Sequence, residues 1–424
     1  MNTVTGARLH PTAQTPRGGG LGLRVCYFNR SYWPDTTATG QLLTELAEDL
    51  VSKHGMDVTV VTGDVPLVAA HQAAARMEVR KGVRIVRARA TTFSQRSFAG
   101  RAANYVTYFL SALWMALRLP RQDVTIALTD PPIIGLAALA ARPTRGMIFF
   151  CQDIFPEVAG LLQDFRSPLV NAILDRINRY LVQRAARIVA LGDTMASRLV
   201  HGKGADPAKI TVIHNWADTS AIVPSDKQNP FSAANGLHDR FVLLHAGNIG
   251  LSQNLDVVIE AAARLKARAE IVILFIGDGT YRDTLESKAG ERGLANVRFL
   301  PFQPREAMRW TYATSDVCLV SLKPGLAGYI VPSKLYPILA AGRPYIAAVE
   351  SISEVAALTE RHRCGVVVQP GDVAALTAAI ERLAADRHER ESMGSRARVA
   401  AELFARDRQV AAHAQVIEEV AAQS

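Results

Sequence analysis

His245-Ala-Gly-Asn-Ile-Gly250 directly follows the apolar run Phe241-Val-Leu-Leu244, and this pairing of a strand-length run with a glycine turn decides the fold. The pattern recurs downstream. Ile271-Val-Ile-Leu-Phe-Ile276 ends in Gly277-Asp-Gly279, and Asp316-Val-Cys-Leu-Val-Ser321 ends in Leu-Lys-Pro-Gly325. Val331-Pro-Ser-Lys-Leu-Tyr336 and Ala340-Ala-Gly-Arg-Pro-Tyr-Ile-Ala347 close the segment. Each run stops at small or polar residues and is followed by a helix-like stretch. Continuous apolar runs of this length mark parallel strands covered on both faces. Ligands of such sheets sit beyond the carboxyl ends of the strands, where these glycines and lysines fall.

The upstream half repeats the alternation. Leu23–Phe28, Met56–Thr62, Val83–Ala88, Asp123–Leu128, Gly146–Phe150, Arg187–Leu191 and Lys209–Ile213 have strand character, with helical segments such as Gln41–Lys53 between several of them. Strand and helix in turn predict a doubly wound α/β sheet. A length of 424 residues favours two domains over one core. The expected organisation is a disordered tail over 1–22, a first Rossmann-like domain over 23–218, a polar connection over 219–240, a second Rossmann-like domain over 241–395, and a helical tail over 396–424 packing back across both. Gly18-Gly-Gly-Leu-Gly22 precedes the first strand instead of following it, so it lacks the context of a dinucleotide fingerprint.

Composition adds bounds. A hydrophobic fraction of 49% and a charged fraction of 21% are ordinary for a globular protein. Lys and Arg number 48 against 39 Asp and Glu, a net charge of +9 that suits anionic partners. The cysteines at 26, 151, 318 and 364 form no close pair, so neither a zinc site nor a redox pair is expected, and a reducing cytoplasm fits.

Several motifs in fixed order then acquire weight together: Tyr32-Trp-Pro-Asp35 with Gly40, Gln152-Asp-Ile-Phe-Pro-Glu157, Val212-Ile-His-Asn-Trp-Ala-Asp218, Gly247-Asn-Ile-Gly250, Ile276-Gly-Asp-Gly279, Val297-Arg-Phe-Leu-Pro-Phe302 and Pro332-Ser-Lys-Leu-Tyr336. From Arg24 to Val420 the chain resembles a GT-B glycosyltransferase of family 4, and within it the bacterial enzymes of colanic-acid, exopolysaccharide and O-antigen assembly. The resemblance implies two Rossmann-like domains facing across a cleft, a nucleotide-diphosphate sugar donor held by the second, and an acceptor held by the first. It implies transfer with retention, no divalent metal, and an acceptor saccharide carried on polyprenyl diphosphate at the inner face of the cytoplasmic membrane. No cofactor and no nucleic-acid partner are expected. The sequence also departs from the family. Its usual pair of glutamates falls on Tyr329 and Pro337, a usual basic residue after the glycine turn is Gln253, and a usual histidine is Gln152.

The expected donor ligands are Gly247, Asn248, Gly250, Gly277, Lys323, Ser333 and Lys334. Backbone amides at a glycine turn and a cation near a helix start stabilise a leaving diphosphate without a metal. Four of them have a plainer alternative. Gly277 serves close packing, Lys323 is a surface lysine, and Ser333 with Lys334 is a capped helix start. On the acceptor side, Asp153 and Glu157 follow a buried strand, where a carboxylate orients or deprotonates a hydroxyl. Glu157 equally suits a helix N-terminus after Pro156. Ala102–Leu117 carries no charge and is flanked by Arg101, Arg118 and Arg121. It is shorter than the roughly 20 apolar residues of a span, which leaves an interfacial helix or a helix buried on the sheet. Two other functions stay open here: a non-catalytic sugar-nucleotide-binding subunit of a membrane assembly, and a sugar-nucleotide epimerase.

Overall fold

A computed structural model describes residues 22–35, 37–64, 75–93, 98–162 and 167–423. The expected tail over 1–22 falls almost wholly outside these residues. Two sheets organise the chain. The first contains β1 (Arg24–Phe28), β2 (Asp57–Gly63), β3 (Met77–Arg80), β4 (Val83–Ala88), β5 (Val124–Ala127), β6 (Gly146–Cys151), β7 (Arg187–Ala190) and β8 (Ile210–Val212), in the order β3-β4-β2-β1-β5-β6-β7-β8. Every pairing is parallel except β3 with β4. The second contains β9 (Phe241–Ala246), β10 (Ile271–Ile276), β11 (Val297–Leu300), β12 (Val317–Ser321), β13 (Tyr345–Ala348) and β14 (Gly365–Val368), all parallel, in the order β11-β10-β9-β12-β13-β14.

Helices cover both faces of each sheet, which is why the central strands are apolar throughout. Val25 to Phe28 and Ile271 to Ile276 are buried without interruption. In each sheet the winding reverses beside the first strand of that half: between β1 and β5, and between β9 and β12. A crevice opens outside the strand ends at such reversals. Asn29, Arg30 and Asp130 lie at the first, and Gly247 and Lys323 at the second.

The chain crosses between the halves twice, side by side. Ala217 and Ala405 form a parallel bridge, with the Ala217 amide donating to Phe404 O (3.3 Å) and the Arg406 amide to Ala217 O (3.1 Å). The polar stretch after Asn215 contains a short helix, Pro230–Ala234, capped by Asn229, and Leu237 is buried in the second core. The expected single helical tail is two helices. Arg387–Ala401 packs on the second core through Ala397 and Ala400, whereas Arg406–Ala422 returns to the first through Val410, Ala414, Ile417 and Val420.

Candidate active site

The donor side begins at the end of β9. His245 is 1% exposed, and its Nε2 lies 3.1 Å from Lys334 Nζ and 3.3 Å from the Asn248 carbonyl. Burial, and then the ammonium of Lys334, hold His245 well below the usual imidazole range. Burial alone pushes Lys334 down to about 7. A lysine whose partner is a neutral imidazole, at the mouth of a strand-end crevice, is a cation set to receive an anion. Gly247 leaves room beside it, since a Cβ there would lie 3.8 Å from Lys334 Cε, and its φ of +120° disfavours any other residue.

The turn amides behave differently from the sequence expectation. Those of Gly247, Ile249 and Gly250 already donate to Ile276 O (2.8 Å), Asp278 O (2.8 Å) and Gln253 Oε1 (2.9 Å). Gln253, in the place of the family's basic residue, thus closes the turn on itself. Lys334 is left as the principal donor-side charge. Gly277 fits its plainer alternative, because a Cβ on it would stand 1.9 Å from Gly247 O. Asn248 is exposed at the turn tip. Ser333 makes no capping bond: the helix is Leu335–Ala340, with Lys334 at its N-cap position. Lys323 is neither a free phosphate ligand nor a solvated surface group, since its Nζ donates to Leu161 O across the seam between the halves (2.9 Å).

On the acceptor side, the amides of Gln152 and Asp153 donate to Thr129 Oγ1 (3.3 and 3.1 Å), which ties the end of β6 to that of β5. Burial, then the negative charge of Asp130, raise Asp153 to about 7. Asp130 accepts from Ser31 Oγ (3.0 Å) and Arg30 Nε (3.3 Å). Glu157 has another occupation. It opens the helix Glu157–Leu161, and its Oε1 pairs at 2.8 Å with Lys203, a fully buried lysine that also binds Asp175 (2.6 Å).

The two sides meet. Asp153 forms an antiparallel bridge with Ile330, and the Ile154 amide donates to Tyr329 O (3.0 Å), four and five residues before Lys334. Glu350 holds the turn leading there by accepting the amides of Gly325 (2.9 Å) and Ala327 (3.3 Å). Tyr329, at the position of one family glutamate, lies under the Arg198 guanidinium at 4.7 Å. An open hollow of about 440 Å³ beside them is lined by Glu157, Gly160, Leu161, Arg198, Gly325 and Tyr329. Asp153 is therefore joined to the segment that leads, four residues on, to Lys334. His245 and Asp130 were not singled out by the motifs, because their partners are neighbours in the sheets and not in the chain. A carboxylate at the end of the strand beside β6 was the available signal for Asp130.

Comparison with known proteins agrees with this fold. Residues 37–216 match the family described as "Glycosyl transferase 4-like domain", and residues 227–400 match "Glycosyl transferases group 1". The chain is 28% identical over 281 residues to a probable glycosyltransferase, WbjE of Pseudomonas aeruginosa, covering 65% of this chain and 69% of that one. It is 26% identical over 376 residues to a putative colanic acid biosynthesis glycosyl transferase, WcaI of Escherichia coli, covering 85% and 92%. Among solved structures, sucrose-phosphate synthase of Thermosynechococcus elongatus superposes with a TM-score of 0.75 at 15% identity, over 95% of this chain and 100% of that one. WaaG, a glycosyltransferase involved in lipopolysaccharide biosynthesis, does so with a TM-score of 0.67 at 17% identity, over 93% and 99%. HepE of Anabaena, solved with UDP-glucose, gives 0.67 at 17% identity, over 93% and 98%. Two α/β halves built on largely parallel sheets and these matches together make the chain a member of the GT-B glycosyltransferases, family 4.

Proposed function

We propose that this glycosyltransferase moves a sugar from a nucleoside-diphosphate donor to a lipid-linked saccharide in exopolysaccharide or O-antigen assembly, with retention and without metal or cofactor. The observation that carries the reading is Lys334, a desolvated amine whose side-chain partner among the described residues is neutral His245, four residues beyond the bridge from Ile330 to Asp153. A donor diphosphate supplies the missing counter-charge. As the anomeric carbon leaves the diphosphate oxygen, Lys334 in its protonated form stabilises the charge that develops there. The acceptor oxygen bonds to the same carbon from the face the diphosphate leaves. Asp153, ionised, orients the acceptor hydroxyl and takes its proton. The UDP-glucose bound by HepE and the colanic-acid role in the name of WcaI support the donor and pathway classes. The enzyme works in the cytoplasm, attached peripherally to the inner face of the membrane. Among the described residues no helix is long and apolar enough to cross a membrane.

Purified protein incubated with a panel of UDP-, GDP- and dTDP-sugars and a polyprenyl-diphosphate saccharide should give one transferred product with the donor's anomeric configuration. Donor binding without transfer to any supplied acceptor would count against this reading. Isomerisation of the donor with no acceptor present would replace it with an epimerase.

A further inference from the structure

The helix Phe98–Ala116 buries one side and bares the other. Tyr108, Ala112 and Ala116 face the sheet, while Val106, Leu110, Trp114 and the following Leu117 are 50 to 59% exposed at near-helical spacing. The helix Pro168–Arg184 repeats this arrangement. Asn178, Leu181 and Val182 are buried, and Leu169, Ile173 and Tyr180 are 70, 50 and 47% exposed. The two helices share one layer. The short helix Gly135–Ala140 lies between them, touching the first and bringing Gly135 to Leu181 of the second, where a Cβ would stand 2.8 Å from its methyl carbons. The opposite face of the sheet belongs to Ala38–His54 and Arg406–Ala422. Seven of the fifteen large hydrophobic side chains exposed among the described residues thus sit in this single layer. Singly scattered exposed hydrophobics need no explanation, but a concentration of this kind marks an interaction surface.

Its charge has one sign. Arg118 and Arg121 follow the first helix, and Arg176 and Arg184 are exposed on the second. The acid on the second helix, Asp175, is engaged by Lys203 and Arg179 (2.6 and 2.7 Å), and the first helix carries none. The Arg118 guanidinium lies 3.8 Å over the Trp114 ring, an apolar body with a cationic edge. Basic residues beside exposed aliphatic and aromatic stripes complement a bilayer of anionic lipid. A protein partner would have to match two separate ridges, whereas a lipid surface needs only the chemistry.

We propose that the outer faces of Phe98–Leu117 and Pro168–Arg184 together form a docking plane for an anionic lipid bilayer. This rests on the lipid-linked-acceptor reading, which gives the plane its purpose. The rim of the plane adjoins the acceptor side: Tyr105 of the first helix lies 4.6 Å from Arg30, the partner of Asp130. Docking there brings the strand ends that carry Asp130 and Asp153 to the bilayer.

The test is co-sedimentation of the full chain with vesicles of phosphatidylethanolamine and phosphatidylglycerol, against vesicles of phosphatidylcholine alone. Binding should require phosphatidylglycerol and weaken as ionic strength rises beyond about 0.15 M. Leu110→Glu combined with Ile173→Glu should lower the bound fraction about tenfold or more while the melting temperature and donor affinity stay unchanged. Arg118→Ala with Arg176→Ala should flatten the salt dependence. Equal binding to both vesicle types, or indifference to both double variants, overturns the plane. A dimer in solution that Leu110→Glu with Ile173→Glu dissolves also overturns it, in favour of a second copy. Transfer to a short-chain, water-soluble acceptor reads the catalytic proposal separately: transfer without vesicle binding overturns the plane alone, and vesicle binding without transfer overturns the catalytic proposal alone.

Discussion

If Lys334 takes the donor diphosphate as proposed, its pKa of about 7 makes donor binding a protonation event. The free lysine loses its proton as pH rises past 7, whereas a bound diphosphate holds the proton on. Donor affinity should therefore fall above neutrality, with proton uptake measurable by calorimetry in buffers of different ionisation enthalpy. Lys334→Ala removes a charge-assisted contact worth about 1.5–3 kcal/mol, so donor Kd should rise roughly 10- to 100-fold. An unchanged Kd would sink the assignment. Asp153 acts in the opposite sense, since it must be ionised to accept a proton and is raised to about 7 by burial and by Asp130. The pH profile of kcat/KM should be a narrow bell centred near 7, because it reports both groups in the free enzyme. In Asp130→Asn the neighbouring charge is gone, so the acid limb should move to lower pH while the alkaline limb stays. An acid limb that does not move would show that Asp130 has no hold on Asp153. Asp153 was legible because it follows a buried apolar run, and Lys334 because it stands at a helix start just after Pro332 and Ser333. Their tuning was not, because it comes from burial in the folded chain and, for Asp153, also from Asp130 just beyond the end of the adjacent strand.

The strands were easy to read where both faces are covered, and Ile271–Ile276 coincides with its apolar run. β3 was invisible because it is an antiparallel edge strand whose Met77 and Val79 point outward, 72 and 69% exposed. The break at Glu402–Phe404 in the C-terminal tail carries neither glycine nor proline, and the change of core that causes it is a tertiary fact. Helix starts show why Glu157 cannot be judged from its position alone. It begins a short helix and also secures Lys203, which anchors the end of the helix Asp193–Lys203 to Asp175. Glu157→Gln should cost about 1–3 kcal/mol of stability, seen as a lower denaturation midpoint, and leave kcat close to wild type. A large loss of kcat with unchanged stability would return Glu157 to the chemistry.

Across the molecule, several side chains tie the halves together around one carboxylate. Glu45 receives the Trp216 indole N–H at 2.9 Å and pairs with Arg305 of the second half and with Arg406. Deeper in, the ring of His413 from the returning helix packs 4.7 Å from Phe150 and 5.9 Å from Trp216. Burial drops His413 to about 3. The unfolded chain takes up a proton at this residue near pH 6.5 and the folded one does not, so His413 withdraws stability as pH falls from about 6.5 towards 3. Denaturation midpoints at pH 7 and pH 5 should differ less in His413→Phe than in wild type, and an equal difference would refute the link.

The returning helix Arg406–Ala422 has a consequence for how the protein is made. Its Val410, Ala414 and Ile417 fill part of the first core, beside strands translated more than 250 residues earlier. The second core, by contrast, draws its members from residues 161–404. The earliest-made half thus depends on the last-made helix to complete its core.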